Sequence, residues 1–171
     1  MLFLLVFAAL LCQRAGIERF SPFIHIGTAT GNRNAMTKMK VQYLGDLRTE
    51  CTHLESGAKI TTDAPKDNEG KGMAFSPTDL LAISVASCMI TLMGIAAKKV
   101  GFNLGQTTAE VEKEMVAAPM RRVGKLIIRI RCPNLPTPQI REKLEQAALH
   151  CPAHASLHPE VKQEIDFVWG L

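Results

Sequence analysis

Residues 79–98 read DLLAISVASCMITLMGIAAK, an uncharged apolar run between one aspartate and one lysine, and the reading of this run decides the fold. It is entered through Ser76-Pro77-Thr78-Asp79. Ser76 can cap a helix, Pro77 suits the first helical position, and Asp79 completes a capping-box pattern. Lys98 and Lys99 complement the dipole at the far end, and Gly101 stops the helix. A run of this length could also span a bilayer. Its Ser, Thr, Ala and Gly content, and its place in mid-chain between amphipathic elements, read instead as a buried central helix with no membrane involved.

Working outward, residues 39–45 (MKVQYLG) alternate and predict a strand. Gly45-Asp46 is a turn signal, residues 47–54 predict a second strand, and Glu55-Ser56-Gly57 turns the chain into a third at 58–63, an antiparallel meander. Residues 64–73 form a polar, glycine-containing loop. Downstream, residues 104–116 and 123–132 predict two more strands, and residues 133–138 (PNLPTP) a connector. Residues 137–150 predict an amphipathic helix with Ile140, Leu144, Ala147 and Ala148 on its apolar side. Pro152 starts a fresh helical turn to about residue 157, and residues 161–170 close the chain as a strand. Strands arrive in groups rather than in βαβ alternation, so the expected class is α+β: two small antiparallel sheets around a long buried central helix. Two small sheets give such a helix too little cover. A homodimer that buries it from both sides follows.

The chain has 171 residues, the size of one ordinary domain, and 47% of them are apolar, enough for a real core. With 21% charged residues, wholesale disorder is not expected. The net charge of +4 is mild, and the basic residues are scattered or paired (Lys98-Lys99, Arg121-Arg122), with no aromatic-interleaved stripe, so a nucleic-acid partner is not expected. Residues 2–12 (LFLLVFAALLC) are apolar but too short to cross a bilayer. They look like a signal-peptide core, yet no Lys or Arg precedes them, and Cys12 lacks the small residue that a lipoprotein cleavage site needs before it. A Gly/Asn/Thr-rich linker follows at 27–38, and Met36 and Met39 stand just before the first strand. Residues 1–37 are therefore read as an extension outside the fold, translated from an upstream start, and residues 38–171 as the domain. Export through the N-terminal segment is the alternative to a cytoplasmic location.

The chemistry lies in the thiols. Five cysteines (12, 51, 88, 132, 151) make an odd set with no CxxC, in a chain too large to need disulfides for stability. That usage fits a reducing compartment. Cys88 lies inside the central helix, and Cys151 opens residues 151–162 (CPAHASLHPEVK) far downstream, a pattern that points to a nucleophile and a resolving partner. The plain alternative for Cys88 is a small buried hydrophobe. For Cys151 it is a residue at a helix start, a position that lowers a thiol pKa. Cys51 and Cys132, on strands, read as packing residues. His150 and His154 are at i,i+4 spacing, which can bind a metal, but Pro152 interrupts the helix between them and no second ligand cluster exists. No metal or organic cofactor is therefore expected, and His154 is read as orienting Cys151 or capping its turn.

SPTDLLAISVASCMITLM at 76–93, followed by HCPAHASLHPEVKQEIDFVW at 150–169, resembles the OsmC/Ohr superfamily, and the resemblance covers residues 39–171. It implies an intertwined homodimer with two active sites at the subunit interface, and thiol peroxidase activity on organic hydroperoxides. Cys88 would be the peroxidatic thiolate and Cys151 the resolving thiol. The resemblance also implies an arginine from the N-terminal strands, for which Arg48 is in the right region, held by a glutamate directly after the helix-opening proline. Here that position is Thr78. Asp79, one residue on, lies ~180° around an ideal helix from Cys88 and serves as a cap. The expectation is thus a member of a branch lacking the peroxidase glutamate. It would reduce small-molecule hydroperoxides in oxidative-stress defence and be reduced by a dithiol or thioredoxin-like donor. The alternatives are a non-catalytic redox-sensing or apolar-ligand-binding dimer, and a metal module at His150, Cys151 and His154.

Overall fold

The computed structural model of the protein describes residues 36–170. The extension expected over residues 1–37 lies outside the described residues except for Met36 and Thr37. The elements run β1 (Met39–Gly45), β2 (Arg48–His53), β3 (Lys59–Asp63), a single 3-10 turn (Lys66–Asn68), α1 (Pro77–Val100), β4 (Thr108–Val116), β5 (Arg122–Cys132), α2 (Pro138–Leu149), α3 (Pro152–Ala155) and β6 (Lys162–Trp169). This is the α+β order expected from the sequence.

The ends of α1 are fixed by its own sequence. Ser76 Oγ accepts the Asp79 N–H at 3.1 Å, and Asp79 Oδ2 accepts the Ser76 N–H at 2.7 Å, a complete capping box with Pro77 in the first turn. At the other end Gly101, at φ 68°, donates its N–H to Ala97 O. The left-handed turn there favours a residue without a Cβ.

The first sheet has the order β1-β2-β3 and is antiparallel throughout; the second is β4-β5-β6. In the second, β4 and β5 are antiparallel but β6 runs parallel to β5, which corrects the all-antiparallel expectation. The physical reason is the connection: α2 and α3 lie between β5 and β6, and a crossover of that length returns the chain in the same direction. The core forms where α1, β5 and α2 meet, around Val85, Met89 and Met93, Leu126 and Ile128, and Leu144.

The central helix is only half buried in one chain, as its expected shortage of cover implies. Ala82, Val85, Met89 and Met93 line its covered side, whereas Leu81, Ile83 and Ile95 remain 43%, 37% and 45% exposed. The first sheet contributes no residue to the core. Register puts Val41, Cys51 and Ile60 side by side on one of its faces, with Met39 and Tyr43 along the same strand face, and Met39, Val41, Tyr43 and Ile60 are all exposed. The opposite face carries Lys40, Gln42, Glu50 and Lys59. A two-faced sheet with its apolar face uncovered and a helix with an apolar flank uncovered leave matching surfaces on the same chain.

Replacing Ser76 with alanine removes the oxygen that accepts the Asp79 N–H and is expected to lower stability by about 1 kcal/mol. Met89→Ala, in the core, is expected to lower it by about 2–5 kcal/mol. Denaturant unfolding checks both, through a lower midpoint at an unchanged slope.

Candidate active site

Cys88 lies three turns into α1, at the border between the buried side and the uncovered flank, and is partly exposed. Cys151 is fully buried. It is delivered by the tight end of α2, where His150 closes the helix, and it caps α3 ahead of Pro152. Its sulfur accepts the His154 N–H at 3.4 Å, and its S–H donates to Val85 O at 3.8 Å. That carbonyl is three residues before Cys88, so the Cys151 sulfur lies against the turn of α1 that carries Cys88, and Cys88 is among the groups acting on the Cys151 thiol. The fold thus brings together two sulfurs carried by distant segments.

Burial pushes the Cys151 thiol above its ordinary value, and the hydrogen bond and charge of Cys88 push the same way, against the pull of the His154 and Ala153 N–H groups. Cys151 is therefore held protonated at neutral pH. Its helix-start position, expected to favour the thiolate, is outweighed by the apolar surroundings.

His154 is tied to β6. Its Nδ1 pairs with Gln163 Oε1 at 2.5 Å, and Gln163 Nε2 donates to His154 O at 3.3 Å. An amide oxygen only accepts, so Nδ1 carries the hydrogen. The link orients the backbone N–H that meets Cys151, so His154 holds the thiol through its main chain. His150 Nδ1 pairs instead with Gln146 O at 2.7 Å. Among the described residues no three His, Cys, Asp or Glu side chains are grouped as metal ligands would be. Cys132 is buried and donates to Leu104 O at 3.3 Å, a packing role.

Thr78 and Asp79 form a separate polar cluster, ~15 Å along the helix from Cys88 in the case of Thr78. Lys113, on β4, donates to Thr78 Oγ1 at 2.7 Å and to Asp79 Oδ1 at 2.6 Å. Burial pushes the Asp79 carboxyl up, but the hydrogen bonds from Lys113 and Ser76 outweigh it and leave the group below the usual carboxylate value. Sequence reasoning missed Lys113. Its signal was a lysine at an inward position of an alternating strand, in line with Val111 and Met115. Arg48 opens β2, opposite Asp63 on β3, and among the described residues it makes no hydrogen bond or ion pair with Cys88 or Cys151. Beside α1 and β4 lies an open groove of about 360 Å³ lined by Ile83, Ala86, Ile90, Thr91 and Val111 among others.

The family model for OsmC-like protein matches residues 69–166. No curated protein matches the sequence. Among solved structures, a Psychrobacter arcticus 273-4 protein, described as a proposed osmotic stress induced and detoxification response protein, is 47% identical. That likeness covers 78% of this chain and 96% of that one, with a TM-score of 0.74. An organic hydroperoxide resistance protein OsmC from Legionella pneumophila is 17% identical over 80% of this chain and 99% of its own, with a TM-score of 0.64. The organic hydroperoxide resistance protein OhrB of Bacillus subtilis is 14% identical over 78% of this chain and 98% of its own, with a TM-score of 0.57. The last two show a shared fold.

The unequal environments of the two sulfurs predict an order of reaction. With the folded, reduced protein at neutral pH, iodoacetamide is expected to label Cys88 first and Cys151 only after denaturation, as read by peptide mass. The folded Cys151 pKa lies above the ordinary 9.0, so the unfolded chain gives up that proton first as pH rises. The contribution of Cys151 to stability is intact below the ordinary value and falls away above it, and unfolding of wild type and Cys151→Ser across alkaline pH measures the difference.

Proposed function

The chain belongs to the OsmC-like protein family, and on that premise we propose that it is a thiol-dependent peroxidase that reduces organic hydroperoxides in oxidative-stress defence. The observation that carries this reading is the contact between Cys88 and Cys151, one partly exposed and the other buried and protonated. The Cys88 thiolate attacks the distal oxygen of the hydroperoxide. The O–O bond breaks, the distal OH passes to Cys88 as a sulfenic acid, and the leaving alkoxide takes a proton from water to depart as the alcohol. Cys151 then attacks the Cys88 sulfur and displaces water, which forms the disulfide. A dithiol or thioredoxin-like donor takes both sulfurs back to thiols and leaves as its own disulfide. No metal or organic cofactor enters the cycle. Leu81 and Leu92, two turns before and one turn after Cys88 on α1 and not fully covered, favour a fatty-acid or aryl hydroperoxide over hydrogen peroxide.

The working unit is a homodimer. The uncovered flank of α1 and the uncovered apolar face of the first sheet call for a second copy that covers each with the other. Cys88 needs a nearby cation to be held as a thiolate. Arg48, the first residue of β2 and on the register face of Glu50 and Lys59, is the group to supply it, reaching the thiolate past the end of the first sheet rather than through its apolar face. Free thiols over residues 38–171 suit the cytoplasm. A second reading, a redox-sensing or ligand-binding dimer, draws on the apolar groove beside α1.

Stopped-flow mixing of reduced protein with cumene hydroperoxide and with hydrogen peroxide tests the enzyme. The expected result is rapid, organic-selective oxidation ending in a Cys88–Cys151 disulfide, lost in Cys88→Ser. Cys151→Ser is expected to react once and stop at the sulfenic acid. Full activity in Cys88→Ser would sink the proposal; slow, unselective disulfide formation favours the sensing dimer.

A further inference from the structure

Outside the thiol pair, three buried side-chain polar atoms stand without partners among the described residues, on Arg48, Asp63 and Arg131, and the first two belong to residues paired across one ladder. Asp63, the last residue of β3, is fully buried. Its Oδ2 accepts the Met73 N–H at 2.9 Å, but its Oδ1 has no partner among the described residues. Directly across the ladder is Arg48, the first residue of β2, whose Nε is also buried and unpartnered among the described residues. A carboxylate oxygen and a guanidinium N–H taken out of water without partners are each costly. Cross-strand neighbours have Cβ atoms ~5 Å apart, so a rotation of the arginine side chain satisfies both.

The neighbouring carboxylates of the first sheet, and the polar groups that open α1, are taken. Asp46, in the adjoining turn, faces solvent and binds Lys71 at 2.8 Å. Glu50, two residues along β2 on the same face, binds Lys59 at 2.8 Å. Asp79 spends Oδ1 on Lys113 and Oδ2 on the Ser76 N–H. Thr78 offers a hydroxyl, and Lys113 holds it.

We propose that Asp63 is the positioning residue for Arg48: its free oxygen accepts the Arg48 Nε–H, and the two terminal nitrogens of the guanidinium are left aimed at a Cys88 thiolate. An end-on contact through Nε anchors the flat group while keeping its fork free for a second anion. The interior of the chain thereby supplies the carboxylate that the start of α1 lacks. This assignment rests on the role given to Arg48 above.

The test is the rate at which iodoacetamide alkylates Cys88 at pH 7, read by peptide mass, a measure of thiolate that needs no hydroperoxide. Wild type, Asp63→Asn, Asp63→Glu, Arg48→Ala and the Asp63→Asn/Arg48→Ala double variant are compared, with melting temperatures alongside. Asp63→Asn is expected to slow alkylation about tenfold, the size of effect usual for a group that orients a site residue. Arg48→Ala is expected to match it, the double variant to be no slower, and Asp63→Glu to recover most of the rate. Unchanged alkylation in Asp63→Asn while Arg48→Ala slows it, or losses that add in the double variant, would overturn the positioning role alone. Unchanged alkylation in Arg48→Ala overturns both the Arg48 role and the positioning role. If Asp63→Asn does not fold, the wild-type dimer decides: nuclear magnetic resonance of its arginine side chains should show an Arg48 Nε–H protected from exchange, and rapid exchange there would overturn the proposal.

Discussion

One helix sets the terms for the rest of this fold. α1 is apolar almost all round, and among the described residues only the second sheet, α2 and the short α3 lie against it. The second sheet and α2 cover one side, and the core collects there. The other side and the apolar face of the first sheet remain uncovered. Uncovered apolar surface of this extent favours association, so the same helix that organises the monomer also argues for a second copy. Its partly exposed cysteine sits at the seam between the two conditions.

The two thiols are close but not equivalent, and the difference comes from packing rather than from charge. Cys151 is pressed into the core at the junction of α2 and α3, with a carbonyl to donate to and a backbone N–H to receive from. Burial keeps its proton on, whereas Cys88 has an open side. The charged groups of the domain are arranged elsewhere. Lys113 and Asp79 lock the start of α1, and pairs such as Arg129–Glu112 and Lys125–Glu164 cross the second sheet.

The sequence made the elements legible because each carried its own local signal. The Ser-Pro-Thr-Asp opening, the alternation in Lys162–Trp169 and the Pro152 break all act over a few residues, and the structure places each element within a few residues of its expectation. The parallel pairing of β6 was not legible, since alternation reports a strand and not its neighbour's direction. Contact between Cys88 and Cys151 was also beyond local pattern, because it depends on how α2 docks on α1. Lys113 and Asp63 escaped for a related reason. A charged residue in a strand looks like a solvated one until the fold shows what covers it: the start of α1 for one, the loop through Met73 for the other.

The placement of the two sulfurs also bears on chain entropy. Both are already held by packed helices, so joining them asks little of the folded state. The unfolded chain is different: a bond between positions 88 and 151 closes a loop of about 63 residues, a restriction worth roughly 4 kcal/mol in the loop-entropy model. The oxidised molecule is then the harder one to unfold. Each turn of the cycle would tighten and release the whole domain, which would be most resistant to unfolding at the moment it has just consumed an oxidant.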